Sequence, residues 1–85
     1  MPRYHLHLRD DIDVVDEEGA DFADLASAKA KAIEGARDVM GEHVRAGRPI
    51  NLSHWIEIAD GDGRVLAVIP FRELLTVIDE QPVGS

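Results

Sequence analysis

His5 and His7 stand two residues apart in a stretch where Tyr4, Leu6 and Leu8 alternate with Arg3, His5, His7 and Arg9. A period of two predicts a half-buried β-strand, which puts both imidazoles on one side, about 7 Å apart. Such a pair can give two nitrogens to a metal ion. A third ligand is not specified, although His54 or an acid between positions 10 and 18 is a candidate. The plainer reading is preferred: two solvent-facing histidines beside Arg3 and Arg9. Neither a metal nor another cofactor is expected.

Pro2 supplies a second chemical idea. Removal of Met1 ahead of a small residue leaves a secondary amine, and burial of that amine lowers its pKa towards the range of a general base. Small tautomerases use an N-terminal proline in this way. They pass from the first strand directly to a helix, whereas this chain interposes a strand, so Pro2 is kept only as an alternative catalytic residue. Asp60-Gly61-Asp62-Gly63 looks like the start of a calcium loop, but the twelve-residue EF-hand loop needs a closing glutamate and position 71 is Phe71. It reads as a turn. No nucleophile elbow, phosphate loop or dinucleotide fingerprint occurs, and with Ser27, Ser53 and Ser85 alone and no cysteine, nucleophilic catalysis has few candidates.

Charge narrows the partners. The net charge is −8, and residues 10 to 24 hold eight acids and no base (Asp10, Asp11, Asp13, Asp16, Glu17, Glu18, Asp21, Asp24). The acidity belongs to one segment and reads first as a solvated loop. It disfavours nucleic acid, whose backbone is held by lysine and arginine. No apolar run is long enough to span a bilayer, and no secretory leader is recognisable, so a cytoplasmic, membrane-free protein is expected.

These residues must be positioned by few elements. Eighty-five residues make about one domain, expected over 1–85 with 79–85 as a flexible tail. A chain this short buries only about 60–65% of its unfolded surface. Without disulfides, oligomerisation is the leading supplement to so thin a core. After the first strand, Ile12 to Val15 predicts a second, ended by Asp16-Glu17-Glu18-Gly19. Asp24 is a good N-cap and Gly47 a good C′ residue, and Leu25, Ala28, Ala32, Ala36, Val39, Met40 and His43 fall on one stripe between them. A long amphipathic helix follows from this. At about 1.5 Å per residue it measures roughly 34 Å, so it should overhang a sheet of six-residue strands. Val39, Met40 and Val44 would then need another cover.

Trp55 to Ala59 and Arg64 to Ile69 flank Asp60-Gly61-Asp62-Gly63, the strongest hairpin signal. Pairing Ile56 and Ile58 with Leu66 and Val68 on the core face leaves Trp55, Ala59, Val65, Ala67 and Ile69 on an unusually apolar opposite face. Pro70 followed by Phe71, Leu74, Leu75 and Ile78 at i, i+3, i+4 and i+7 predicts a short closing helix. The fold class is α+β, in the order ββαββα, with an antiparallel sheet against one long helix and a short C-terminal one. The expected interface comprises Val39, Met40, Val44, Trp55, Val65, Ala67 and Ile69, for a second copy of the chain or another protein.

Met1-Pro2-Arg3-Tyr4, then Leu6-His7-Leu8-Arg9-Asp10, Asp16-Glu17-Glu18-Gly19, Asp24-Leu25 and Gly63-Arg64-Val65-Leu66 to Pro70-Phe71 resemble a family of short bacterial proteins known as a domain of unknown function. Its members usually carry an aromatic where Leu6 stands here. The resemblance implies the fold and a bacterial origin, and no activity. The acidic turn leading into an alanine-rich helix, Asp16 to Ala36, is similar to HicB-type antitoxins, whose toxin-neutralising or regulatory role is offered only as an analogy. A non-enzymatic, self-associating binding or regulatory domain is the function expected.

Overall fold

A computed structural model describes residues 2–10, 13–78 and 80. Five elements precede a terminal 3-10 turn: β1 (Arg3–Arg9), β2 (Ala20–Asp21), α1 (Leu25–Arg45), β3 (Trp55–Ala59), β4 (Val65–Pro70) and the turn Phe71–Glu73. The four strands form one antiparallel sheet in the order β2-β1-β3-β4, and α1 packs on one face. The α+β class is as expected.

Local chemistry sets the ends of α1. The Asp24 carboxylate accepts the Ser27 amide at 2.8 Å, satisfying a free donor of the first turn, and this bond holds its carboxyl below the usual range. At the other end the Gly47 amide donates to the Val44 carbonyl at 3.1 Å and the Arg48 amide to the His43 carbonyl at 2.8 Å. That pattern ends a helix when the C′ residue adopts positive φ, and Gly47 has φ 70°. Ala28, Ala32, Ala36 and Met40 are buried against Tyr4, Ile56, Ile58, Ile69 and Phe71. Alanines at every fourth position bring the helix backbone close to the sheet, so a small chain still closes a core.

Four expectations are corrected. The regular second strand is Ala20–Asp21, while Val14 makes only an isolated bridge to Leu8; Ile12 lies outside the described residues. The second helix is absent. The Phe71 amide is taken by the His54 carbonyl at 2.9 Å, which prolongs the β3–β4 ladder, and a single 3-10 turn follows. Thr76, Val77 and Ile78 are a β-branched run that resists helix. The order is therefore ββαββ plus one turn. The tail expected over 79–85 lies outside the described residues except for Glu80.

The third correction is the face of β4. Next to the turn, Ala59 pairs with Val65, but Ile58 then pairs with Ala67 and Ile56 with Ile69. Leu66 is the extra residue of a β-bulge, and one extra residue exchanges the faces of everything beyond it. Ala67 and Ile69 consequently face the helix, and Val68 faces away. The fourth correction concerns the overhang of α1, whose 21 residues span about 32 Å against about 17 Å for β3. Met40 is nonetheless buried in the core, and only Val44, one turn later, stands exposed at 64%.

Candidate interaction surface

The face of the sheet away from α1 is organised by cross-strand register. Arg9 lies beside Trp55 and Trp55 beside Pro70; His7 beside Glu57 and Glu57 beside Val68; His5 beside Ala59 and Ala59 beside Val65. The β1 side of this face is polar and the β4 side apolar. Glu57 sits at the boundary. One carboxylate oxygen accepts the Trp55 indole N–H at 3.1 Å, and the other pairs with the Arg9 guanidinium at 3.2 Å. The indole hydrogen bond, against the opposing effect of burial and with help from Arg9, holds the Glu57 carboxyl below the usual carboxylate range. Its charge is matched by the Arg9 guanidinium.

Trp55 (38% exposed), Val65 (49%), Leu66 (40%) and Val68 (53%) cluster on the apolar side. Both residues at the bulge are exposed. Beside them Leu52, Ser53, Trp55, Val68, Pro70 and Arg72 line an open groove of about 340 Å³. A second groove of about 250 Å³ runs between α1 and β1, where Leu6, Leu8, Val39 and Ile56 meet Ala32, Gly35 and Ala36. Val39 is half-buried along its wall. Of the residues expected at an interface, Trp55, Val65 and Val44 are exposed; Met40 and Ile69 are core residues, and Ala67 is half-buried against the core. Leu66 and Val68 were missed. Only the bulge exposes them, and a bulge leaves no mark in hydrophobic alternation.

The sheet edges are blunted. The β1–β2 edge is short and flanked by Asp13, Asp16, Glu17, Glu18 and Asp21, and the β4 edge carries the Leu66 bulge and Pro70, which lacks an amide proton. Charges, bulges and proline are the usual obstacles to strand addition.

His5 and His7 are brought together, with ring centroids 6.1 Å apart and nearly parallel planes. The polypeptide folds back over them through Asp16. The Asp16 amide donates to His7 Nδ1 at 3.0 Å, and the Asp16 carbonyl oxygen lies 2.7 Å from His5 Nδ1. Its carboxylate accepts the Leu6 amide at 3.2 Å and the Gly19 amide at 3.0 Å. Burial alone would raise the Asp16 carboxyl; the two amides and then the two imidazoles outweigh it and bring it below its ordinary value. The side chain of Asp16 thus takes the place of a strand partner beside Leu6. Because His7 Nδ1 accepts the hydrogen bond of the Asp16 amide, the neutral ring carries its own proton on Nε2, and neither nitrogen offers a lone pair to a metal. Among the described residues no group of three or more His, Cys, Asp or Glu side chains could hold a metal ion.

Pro2 is exposed beside β1, its carbonyl accepting the Phe22 amide at 3.1 Å. The burial that would depress an amine there is not provided by the described residues. No helix among them is long and apolar enough to cross a membrane.

The model of a family described as a domain of unknown function (DUF6894) matches residues 3–72. The chain belongs to that family. The match runs from the first residue of β1 into the 3-10 turn, so the matched region contains the sheet and the helix. No curated protein and no solved structure matches the chain. Family membership brings no named activity.

Proposed function

We propose that this DUF6894 domain is a non-enzymatic binding or regulatory module that associates with a second copy of itself through the open face of its sheet. The observation that carries this reading is the exposed cluster of Trp55, Val65, Leu66 and Val68 beside a charge-matched Arg9–Glu57 pair. A contiguous apolar patch of a few hundred Å² on a small domain is characteristically functional. Blunted edges favour contact through the face over strand addition. The thin core of an 85-residue chain without cysteine supplies a reason to bury more. A bacterial, cytoplasmic setting accompanies the reading.

Light scattering at about 100 μM tests it, since an obligate pair persists at that concentration. The expected mass is twice that of the 9.4 kDa chain. Val65→Asp puts a charge in the middle of the patch at a position already 49% exposed, so the fold is retained while the mass falls to that of a monomer. A folded wild-type monomer at this concentration overturns the proposal. An unchanged dimer in Val65→Asp moves the contact to another surface.

A further inference from the structure

The four hydrogen bonds of Asp16 do not respond alike to a proton. His7 Nδ1 receives the Asp16 amide, which requires a bare nitrogen lone pair; a protonated imidazole would set one N–H against another. His5 Nδ1 faces a carbonyl oxygen, so it donates, and it donates equally well from a neutral or a charged ring. The Asp16 carboxylate is held below its ordinary value, so its bonds to the Leu6 and Gly19 amides persist where an imidazole gains its proton. Only His7 changes from acceptor to donor, and imidazole is the side chain that makes this change between about pH 5 and 8.

We propose that His7 is the sensor of a proton-operated latch: neutral, it accepts the Asp16 amide and pins that point of the fold-back to the sheet, and protonated, it gives up this bond and loosens the Asp16 backbone while the carboxylate stays on the Leu6 and Gly19 amides. His5 is the pivot that tolerates both states. The charged groups facing the two rings come from every neighbouring element. β1 supplies Arg9, whose guanidinium is engaged by Asp13 and Glu57; β3 supplies Glu57, the register partner of His7; the folded-back segment supplies Asp16 and Glu17; and Asp60 borders the same cavity from the β3–β4 turn.

Amide hydrogen exchange and ¹⁵N spectra of the whole chain at pH 8 and pH 5 test the latch. At pH 8, His7 should show a bare Nδ1 and a protonated Nε2. Protection of the Asp16 amide, corrected for intrinsic exchange, should fall at least tenfold at pH 5 while the Ile56 and Ile58 amides hold theirs. Asn at position 7 keeps an acceptor oxygen near the same place and cannot titrate, so His7→Asn should retain protection at both pH values; His5→Asn should keep the wild-type response. A proton on Nδ1 of His7 at pH 8 overturns the proposal, and it is read on the wild type whether or not a variant folds. The same pH response in His7→Asn overturns it equally.

Discussion

Gly19→Ala tests the fold-back at its tightest point. Gly19 has φ 69°, where a residue with a Cβ pays about 1–2 kcal/mol. Space is the second obstacle. An added Cβ would stand 2.7 Å from the Tyr4 carbonyl oxygen and 2.9 Å from His5 Cε1, closer than real Cβ atoms approach. The Tyr4 carbonyl belongs to the backbone of β1, and Tyr4 pairs with Ala20; the His5 ring is engaged by the Asp16 carbonyl. Neither neighbour yields without losing its own bond, so overpacking adds about 1–3 kcal/mol. The expected loss is about 2–5 kcal/mol, a large share of the roughly 4–13 kcal/mol available to a domain of this size.

Gly63→Ala and Gly47→Ala provide the internal comparison. Gly63 has φ 85° and Gly47 φ 70°, yet nothing lies within 4 Å of an added Cβ at either. Both should cost only the backbone share, about 1–2 kcal/mol. Urea unfolding followed by circular dichroism measures all three, and at about 4–8 °C per kcal/mol the Gly19→Ala melting temperature should fall by at least about 8 °C. If Gly19→Ala lies within about 0.5 kcal/mol of Gly63→Ala, the turn is not clamped against β1 and the reasoning fails.

Three further outcomes are expected. Asp16 and Glu57 have folded pKa values depressed below their unfolded ones, so their stabilisation is complete above the ordinary carboxylate range near pH 4 and is lost as pH falls through the depressed values. The urea midpoint should drop between pH 6 and pH 3, and Asp16→Asn should lower it at pH 6 while shrinking the difference; equal pH slopes would remove Asp16 from the acid transition. Ile58 is fully buried, and Ile58→Ala should cost about 2–5 kcal/mol by the same assay, a loss under about 1 kcal/mol being incompatible with its central place. Asp24→Ala deletes the carboxylate that accepts the Ser27 amide and should cost about 1 kcal/mol, with unchanged thermal stability placing the start of α1 elsewhere.

What was legible in the sequence is what short-range chemistry decides. Asp24 and Gly47 bracket α1 because capping depends on a carboxylate and a positive φ within one turn. Asp60 organises its own hairpin, its carboxylate accepting the Asp62 and Arg64 amides at 2.9 Å each. The short β2 strand was not legible. Its place beside β1 depends on Asp16 filling the gap beside Leu6, a contact between residues ten apart. The closing helix does not form although Phe71, Leu74, Leu75 and Ile78 have the right spacing, because spacing does not weigh the β-branched run Thr76, Val77 and Ile78, which disfavours helix beyond the first turn. His5 and His7 were legible as a pair, but their task was not, since it is defined by a backbone that returns to them from elsewhere.

The bulge at Leu66 matters most for function, because it decides which apolar residues the sheet presents. Without it Leu66 and Val68 would face α1, and Ala67 and Ile69 would face out; with it the assignment is reversed. Val65 lies on the turn side of the extra residue and keeps its outward direction in either register, as does Trp55 on the neighbouring strand. The patch is therefore apolar under both arrangements, and the observed one presents Leu66 and Val68 in place of Ala67 and Ile69. That register places Ile69 in the core and leaves Val68 53% exposed. Val68 lies across from Glu57, whose carboxylate is already held by Trp55 and Arg9, so a second apolar surface can approach there without leaving that charge unmatched.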